Sequence, residues 1–141
     1  MPLEELVKAQ IAVFADISSE ALTVVGPSVD LNSATVEAIG LAIHELGTNA
    51  LKYGAWSAAS GKVAISWRFT DTRRKDGLEV SWQETDGPPV QIPQRSGFGS
   101  KILLKIVPGS VGGRSTLEYR DSGLEWRLQF PLVAATTNSN T

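Results

Sequence analysis

The chain has 141 residues, of which 42% are hydrophobic and 20% charged, an ordinary composition for one globular domain. Its 13 Lys and Arg residues against 15 Asp and Glu residues give a formal charge of −2, so no basic excess indicates a nucleic-acid partner. The absence of cysteine excludes disulfides, thiolate metal ligands and a cysteine nucleophile. No apolar run approaches the roughly 20 residues of a membrane span, and we expect no membrane contact by this domain.

The first third of the chain predicts two helices separated by a short strand. Apolar residues recur at helical spacing over residues 3–15, and residues 21–25 favour a strand. A long helix then begins at a cap supplied by Asn32 or Ser33, the residue types that accept hydrogen bonds from the first turn. Gly54 lies where a glycine commonly follows the end of a helix.

The long helix carries two different stripes. The apolar stripe, which predicts burial, consists of Val36, Ile39, Ile43, Leu46 and Ala50. About 120° around the helix, Glu45, Asn49 and Lys52 follow one another at i, i+4 and i+7 and therefore project the same way. Such a stripe is suited to a base, a metal ligand and a phosphate partner. By itself it could equally be a solvated flank with ordinary helix charges.

The second half of the chain predicts two antiparallel hairpins. Apolar and polar residues alternate over residues 63–69 and 78–84, which marks two half-buried strands joined by a polar turn. Two closing strands are expected at residues 115–120 and 124–130. Because the helices come early and the hairpins late, we expect an α+β two-layer sandwich.

Two glycine-containing segments lie between the hairpins. Asp86 ends a strand and precedes Gly87 and two prolines, so its carboxylate could accept a hydrogen bond from the exocyclic amine of a flat ligand. An ordinary Asx turn is the alternative. The second segment, residues 97–100, opens a short helix expected over residues 100–107 and ended by Pro108. Exposed backbone N–H groups at such a position bind phosphates.

The order and spacing of these three motifs resemble the ATP-binding domain of histidine kinases and gyrase-type ATPases, the Bergerat fold. The helix motif resembles the N box of that superfamily, Asp86-Gly87-Pro88 its G1 box, and Gly97-Phe98-Gly99 its G2 box. The resemblance covers residues 3–132. It implies a mixed sheet covered on one face by about three helices, within a domain at residues 1–133 that is followed by a flexible tail at 134–141.

Two further details resemble the HWE subfamily of bacterial sensor histidine kinases. His44 directly precedes the acidic N-box residue, and Trp82-Gln83-Glu84 precedes the G1 box. The closing hairpin, from Gly112 to Leu132, also matches that subfamily.

The resemblance implies Mg²⁺ and ATP as ligands and a cytoplasmic location. Glu45 and His44 would belong to the catalytic centre, with Glu45 as the general base or water-orienting group. Asn49 would ligate Mg²⁺, and Asp86 would read the adenine amino group. The remaining nucleotide-binding residues implied are Lys52, Tyr53, Trp82, Glu84, Gly87, Arg95, Gly97, Phe98, Gly99, Ser100 and Lys101.

His44 is the only histidine, which raises the question whether it is itself phosphorylated. In this superfamily the phosphoacceptor histidine lies on a separate dimerising helix, upstream of the ATP-binding domain. We therefore expect His44 to pack or hydrogen-bond beside the site, towards Glu84.

The function implied is transfer of the ATP γ-phosphoryl group to a histidine on that dimerisation helix, which this chain lacks. Residues 1–16 would be a remnant of that region. A response regulator receiver domain would be the indirect partner, and nucleic acid would not be one. Two alternatives stay open: a stand-alone serine kinase of the anti-sigma type, and a non-catalytic nucleotide-sensing interaction domain.

Overall fold

A five-stranded mixed sheet forms one layer of the molecule. The computed structural model describes residues 1–14, 20–90 and 98–132. The strand order is β1-β2-β3-β5-β4; β1 runs parallel to β2, and the other neighbours are antiparallel. The strands are β1 (Leu22–Val25), β2 (Lys62–Phe69), β3 (Gly77–Thr85), β4 (Arg114–Arg120) and β5 (Gly123–Pro131).

Helices form the second layer and pack on one face of this sheet, so the expected α+β sandwich is confirmed. None of the helices in the described ranges is long and apolar enough to cross a membrane. The bounds are α1 (Leu3–Ile11), α2 (Ser33–Lys52), α3 (Phe98–Lys101), a π-helical turn (Ile102–Ile106) and α4 (Val107–Val111).

The long helix α2 forms the centre of the core. Asn32 is its N-cap, because the Asn32 Oδ1 atom accepts a hydrogen bond from Thr35 N at 2.9 Å. The predicted apolar stripe is buried, with only Val36 left half-buried. Burial of this stripe fixes the rotation of α2 and turns the Glu45–Asn49 flank away from the sheet.

Both predicted hairpins are present. In the first, Trp82 pairs with Ile65 and Val80 with Trp67, and all four side chains are buried. The opposite sheet face is polar. There the buried carboxylate of Glu79 accepts hydrogen bonds from Arg68 and Gln129. The apolar face therefore supports the helices, and the predicted site residues of α2 and β3 lie where the C-terminal end of α2 meets the end of strand β3.

The helix expected to stop at Pro108 instead continues to Val111 and ends at Gly112, whose φ is 67°. The π-helical turn explains the difference. In a π-helical turn each N–H donates to the carbonyl five residues earlier, as Val107 N does to Ile102 O. The next bond in this series would need the N–H of Pro108, which proline lacks, so Leu103 O has no donor within the helix. That carbonyl accepts instead from Ser115 Oγ at 2.7 Å and Trp126 Nε1 at 3.0 Å.

Candidate functional site

The first part of the candidate site is a hydrogen-bonded pair on α2. Asn49 Nδ2 donates to Glu45 Oε1 at 3.1 Å, one helical turn apart, and both side chains are half-buried. This bond uses the amide nitrogen of Asn49, so its carbonyl oxygen remains available as an acceptor among the residues that the structure describes. The pair therefore presents a carboxylate and an amide oxygen side by side.

The start of α3 packs directly on this pair. A Cβ atom at Gly99 would overlap the Glu45 carboxylate as it stands, so glycine lets the backbone of α3 approach this carboxylate closely. The side chain of Ser100 lies near the hydroxyl group of Tyr119 in β4, and Lys101 is exposed. Burial raises the pKa of Tyr119, and the neighbouring Ser100 side chain lowers it to a smaller extent. The structure thus brings the predicted N-box and G2-box residues together.

The remaining residues predicted on this flank of α2 face solvent. Lys52 is exposed in the last turn of the helix, and Tyr53, its C-cap residue, is 75% exposed. Both side chains are accessible to an approaching ligand.

The second part of the site is the carboxylate of Glu84, which is only 6% exposed. Ala55 N donates to Glu84 Oε1 at 2.8 Å, and Trp82 Nε1 donates to Oε2 at 2.9 Å. Burial raises the pKa of Glu84, and the hydrogen bonds from Ala55 and Trp82 oppose that shift. Each carboxylate oxygen keeps one further acceptor position.

Gly54 lies directly after α2, as predicted, but its backbone is not left-handed, with φ −103° and ψ −149°. Its contribution is space: a Cβ atom there would overlap Glu84 Oε1. Glycine therefore lets the end of α2 close over the carboxylate. Gly87 plays a similar part, because its Cβ would lie 2.7 Å from the Ala55 Cα atom.

The predicted adenine reader, Asp86, lies at the rim. It is exposed and has a φ of 57°, and its carbonyl oxygen accepts a hydrogen bond from Ser60 Oγ at 2.8 Å. A depression of about 410 Å³ borders it, and neither Glu45 nor Asn49 lines that depression. The lining residues are Glu20, Ala21, Ala59, Ser60, Gly61, Lys62, Asp86 and Gly87.

His44 packs differently from the expectation. Its exposed ring stacks on Phe14, with centroids 5.9 Å apart and planes at 28°. The hydrogen bonds of Glu84 come from Ala55 and Trp82 rather than from His44. The reason is the helical position of His44, which turns it towards the end of α1 and away from β3.

A series of aromatic ring contacts, which the sequence motifs did not reveal, connects His44 to Trp82. Phe14 contacts Trp56 at 6.1 Å between centroids, and Trp56 meets Trp82 edge-on at 5.5 Å. The only sequence signal was an unusual tryptophan in the turn just after α2. Two other predicted residues, Arg95 and Gly97, lie outside the described residues, and Phe98 is described only as the first residue of α3.

A metal ion would have few protein ligands in this site. Within residues 1–14, 20–90 and 98–132, no three His, Asp or Glu residues form a metal-binding group. The Asn49 carbonyl oxygen, left unused by the bond to Glu45, fits the oxygen preference of Mg²⁺, an ion that keeps several waters and binds phosphate oxygens.

Comparison with known proteins gives a consistent set of relatives, although no family model matches the chain. It is 34% identical over 134 residues to blue-light-activated histidine kinase 1 of Erythrobacter litoralis. The match covers 92% of this chain and 36% of that protein. The chain thus spans about a third of the length of this curated relative.

Solved structures of histidine kinases share the fold. The blue-light-activated histidine kinase EL346 of Erythrobacter litoralis aligns over 94% of this chain and 42% of its own, with a TM-score of 0.72 and 22% identity. The catalytic domain of histidine kinase ThkA aligns over 93% of this chain and 94% of its own, with a TM-score of 0.65 and 21% identity. The chain is thus similar in sequence to a blue-light-activated histidine kinase over about a third of that protein's length, and it has the fold of a histidine kinase catalytic domain.

Proposed function

We propose that this chain is the ATP-binding catalytic domain of a two-component sensor histidine kinase. It would bind Mg²⁺ and ATP in the cytoplasm, where ATP is available, and transfer the γ-phosphoryl group to a histidine on a dimerisation helix. The observation that carries the proposal is the Glu45–Asn49 pair, which lies directly against Gly99 at the start of α3.

Asn49 is the residue that we assign to the metal. Its carbonyl oxygen would be the one protein ligand, and ATP phosphates and waters would supply the others. When bound, Mg²⁺ neutralises phosphate charge during phosphoryl transfer. The exposed ammonium groups of Lys52 and Lys101 are free to approach phosphate oxygens.

Glu45 is the residue that we assign to proton handling. Asn49 fixes one of its carboxylate oxygens, and the side chain stays half-exposed, so an incoming acceptor can reach it. As a general base it would take or orient the proton of the acceptor nitrogen as the phosphoryl group arrives. His44 takes no chemical step in this proposal, since it packs against Phe14.

Two carboxylates compete for the adenine amino group, and we propose Glu84 as its acceptor in place of Asp86. A buried carboxylate held by two donors is preorganised, and its remaining lone pairs interact strongly because water is excluded. The exposed side chain of Asp86 stays hydrated. Asp86 and Gly87 would then shape the turn beside the base.

A response regulator is the partner that we propose for the parent protein. Histidine kinase ThkA has been crystallised in complex with response regulator protein TrrA, and this chain aligns with ThkA in that complex with a TM-score of 0.58. Phosphoryl relay to such a receiver domain would follow autophosphorylation in a kinase dimer.

Calorimetric titration with ATP, with and without Mg²⁺, tests the proposal on the chain and on Asn49→Ala. We expect magnesium-dependent binding that Asn49→Ala weakens about tenfold or more, or about 1.4 kcal/mol. Thr48→Ala, one residue away and also half-buried, is the matched control and should bind normally. Absence of binding at millimolar ATP would contradict the proposal, and phosphorylation of a partner serine would indicate the serine-kinase alternative.

A further inference from the structure

Trp56 is a half-buried side chain that holds together three parts of the fold near Glu84. It belongs to the 3-10 turn Ala55–Ser57, directly after α2. Its Nε1 atom donates to Ala21 O at 3.1 Å, at the entry to β1. Its ring meets Trp82 edge-on at 5.5 Å and Phe14 at 6.1 Å between centroids.

Both donors to the Glu84 carboxylate are attached to groups that Trp56 holds. Ala55, whose N–H donates to Oε1, is its neighbour in the chain. Trp82, whose indole N–H donates to Oε2, is its ring contact. A displacement of Trp56 would therefore move the turn and the indole together, and both hydrogen bonds to Glu84 would change.

We propose that Trp56 is a positioning residue that fixes the Glu84 carboxylate for recognition of the purine. The inference rests on the proposed function. A carboxylate in this orientation accepts a hydrogen bond from the amino group of adenine, whereas guanine presents a carbonyl oxygen at the corresponding position and would be repelled. Trp56 would thus set the preference for ATP over GTP through Glu84, without touching the nucleotide.

Trp67 provides a matched control. It is 4% exposed and its indole N–H also donates to a backbone carbonyl, that of Pro27, at 2.7 Å. Its cross-strand partner is Val80, and the donors to Glu84 are elsewhere. Trp67→Phe removes the same kind of indole-to-carbonyl hydrogen bond, here from strand β2, without touching the two donors to Glu84.

The experiment compares the unaltered chain, Trp56→Phe and Trp67→Phe in two measurements. The first is the affinity for ATP and for GTP by calorimetry. The second is the pKa of the Glu84 carboxyl group, followed by carbon NMR without nucleotide. Trp56→Phe should weaken ATP binding about three- to tenfold, the effect of one net hydrogen bond, and leave GTP binding unchanged. The hydrogen bond from Ala55 lowers the pKa of Glu84. Because Trp56→Phe should weaken that bond, it should also raise the Glu84 pKa.

Trp67→Phe should change neither the ratio of ATP to GTP affinity nor the Glu84 pKa, even if it lowers stability. An unchanged Glu84 pKa in Trp56→Phe, or equal weakening of ATP and GTP, would overturn the inference. The NMR measurement does not depend on nucleotide. A chain that binds no ATP would therefore contradict the proposed function, and the pKa comparison would still decide whether Trp56 positions Glu84.

Discussion

Two carboxylates lie near the two ends of the candidate site, and their surroundings differ. Glu45 is half-exposed and receives a hydrogen bond from a side-chain amide one turn along the same helix. Glu84 is 6% exposed and receives hydrogen bonds from a backbone N–H and a buried indole. Glu45 is open to groups that arrive and leave, whereas Glu84 is fixed before any ligand arrives.

This difference corresponds to two kinds of work. Proton handling needs a group that solvent and substrate can reach, and recognition of a base gains from an acceptor that needs no reorganisation on binding. Substitution at Glu45 should therefore act mainly on the transfer rate, and substitution around Glu84 mainly on stability and nucleotide choice.

The largest effect is expected from Glu45→Gln. Loss of a general base lowers a reaction rate by about 10²–10⁴-fold, so transfer of labelled phosphoryl to a supplied phosphoacceptor helix should fall at least about 100-fold. ATP affinity should change less than about threefold, because the Asn49 amide can still donate to the glutamine oxygen. Glu37→Gln, exposed on the same helix, should have no effect. An unchanged rate in Glu45→Gln would remove the base assignment.

The next effect is expected from Gly54→Ala. The new Cβ would overlap the Glu84 carboxylate, which cannot move freely because two donors hold it. We expect a loss of about 1–3 kcal/mol in the free energy of unfolding, measured with urea.

Gly109→Ala is the control for that substitution, since in the described ranges no atom beyond its chain neighbours and its own helix backbone lies within 4 Å of its Cβ position in α4. It should stabilise the chain by about 0.4–1 kcal/mol, because alanine is less flexible than glycine when unfolded. Equal effects of the two substitutions would show that the end of α2 is not tightly closed over Glu84.

Much of the fold could be predicted from sequence because buried residues repeat along the chain with the period of the helix or strand that they form. The apolar stripe of α2 and the alternation in β2 and β3 follow from which side faces the core. The end of the third helix could not be predicted in this way. Proline usually ends a helix, but here a π-helical turn accommodates Pro108. The Leu103 carbonyl, which Pro108 cannot bond, accepts a hydrogen bond from Trp126, 23 residues further along the chain.

The candidate site shows the same limit. The residue types and their order predicted which boxes would be present, and the contact of Gly99 with Glu45 agrees with that pattern. The partners of His44 and Glu84 depend on tertiary packing. Phe14 meets His44 because α1 packs against α2, and Ala55 reaches Glu84 across 29 residues of sequence. No local pattern encodes such contacts.

A pH titration separates the buried carboxylate from the rest of the chain. The pKa of Glu84 is raised above its ordinary value of 4.5 in the folded protein, so the folded state binds this proton more tightly than the unfolded state does. The contribution of Glu84 to stability is therefore fully present below pH 4.5 and is lost as pH rises through the raised pKa.

Glu84→Gln removes this titration. The free energy of unfolding of the unaltered chain minus that of Glu84→Gln should consequently fall as pH rises from about 4 to 7, as measured by urea unfolding at several pH values. At any single pH, this difference in free energy of unfolding contains both the desolvation of the carboxylate and the altered hydrogen bonds. Its change with pH depends only on the pKa shift of Glu84. A flat difference would mean that the carboxylate is not desolvated.

The smallest effect is expected from Asp86→Gly, and it decides between the two candidate adenine readers. Asp86 has a φ of 57°, where glycine is unstrained, so stability should rise by no more than about 1 kcal/mol. Lys75→Gly, at a φ of 53° in the β2–β3 turn, is the matched backbone control. If Glu84 accepts the adenine amino group, ATP affinity should stay within about twofold, well below the loss of one hydrogen bond to a charged group. A tenfold loss in Asp86→Gly but not in Lys75→Gly would contradict the assignment to Glu84 and favour Asp86 as the adenine reader.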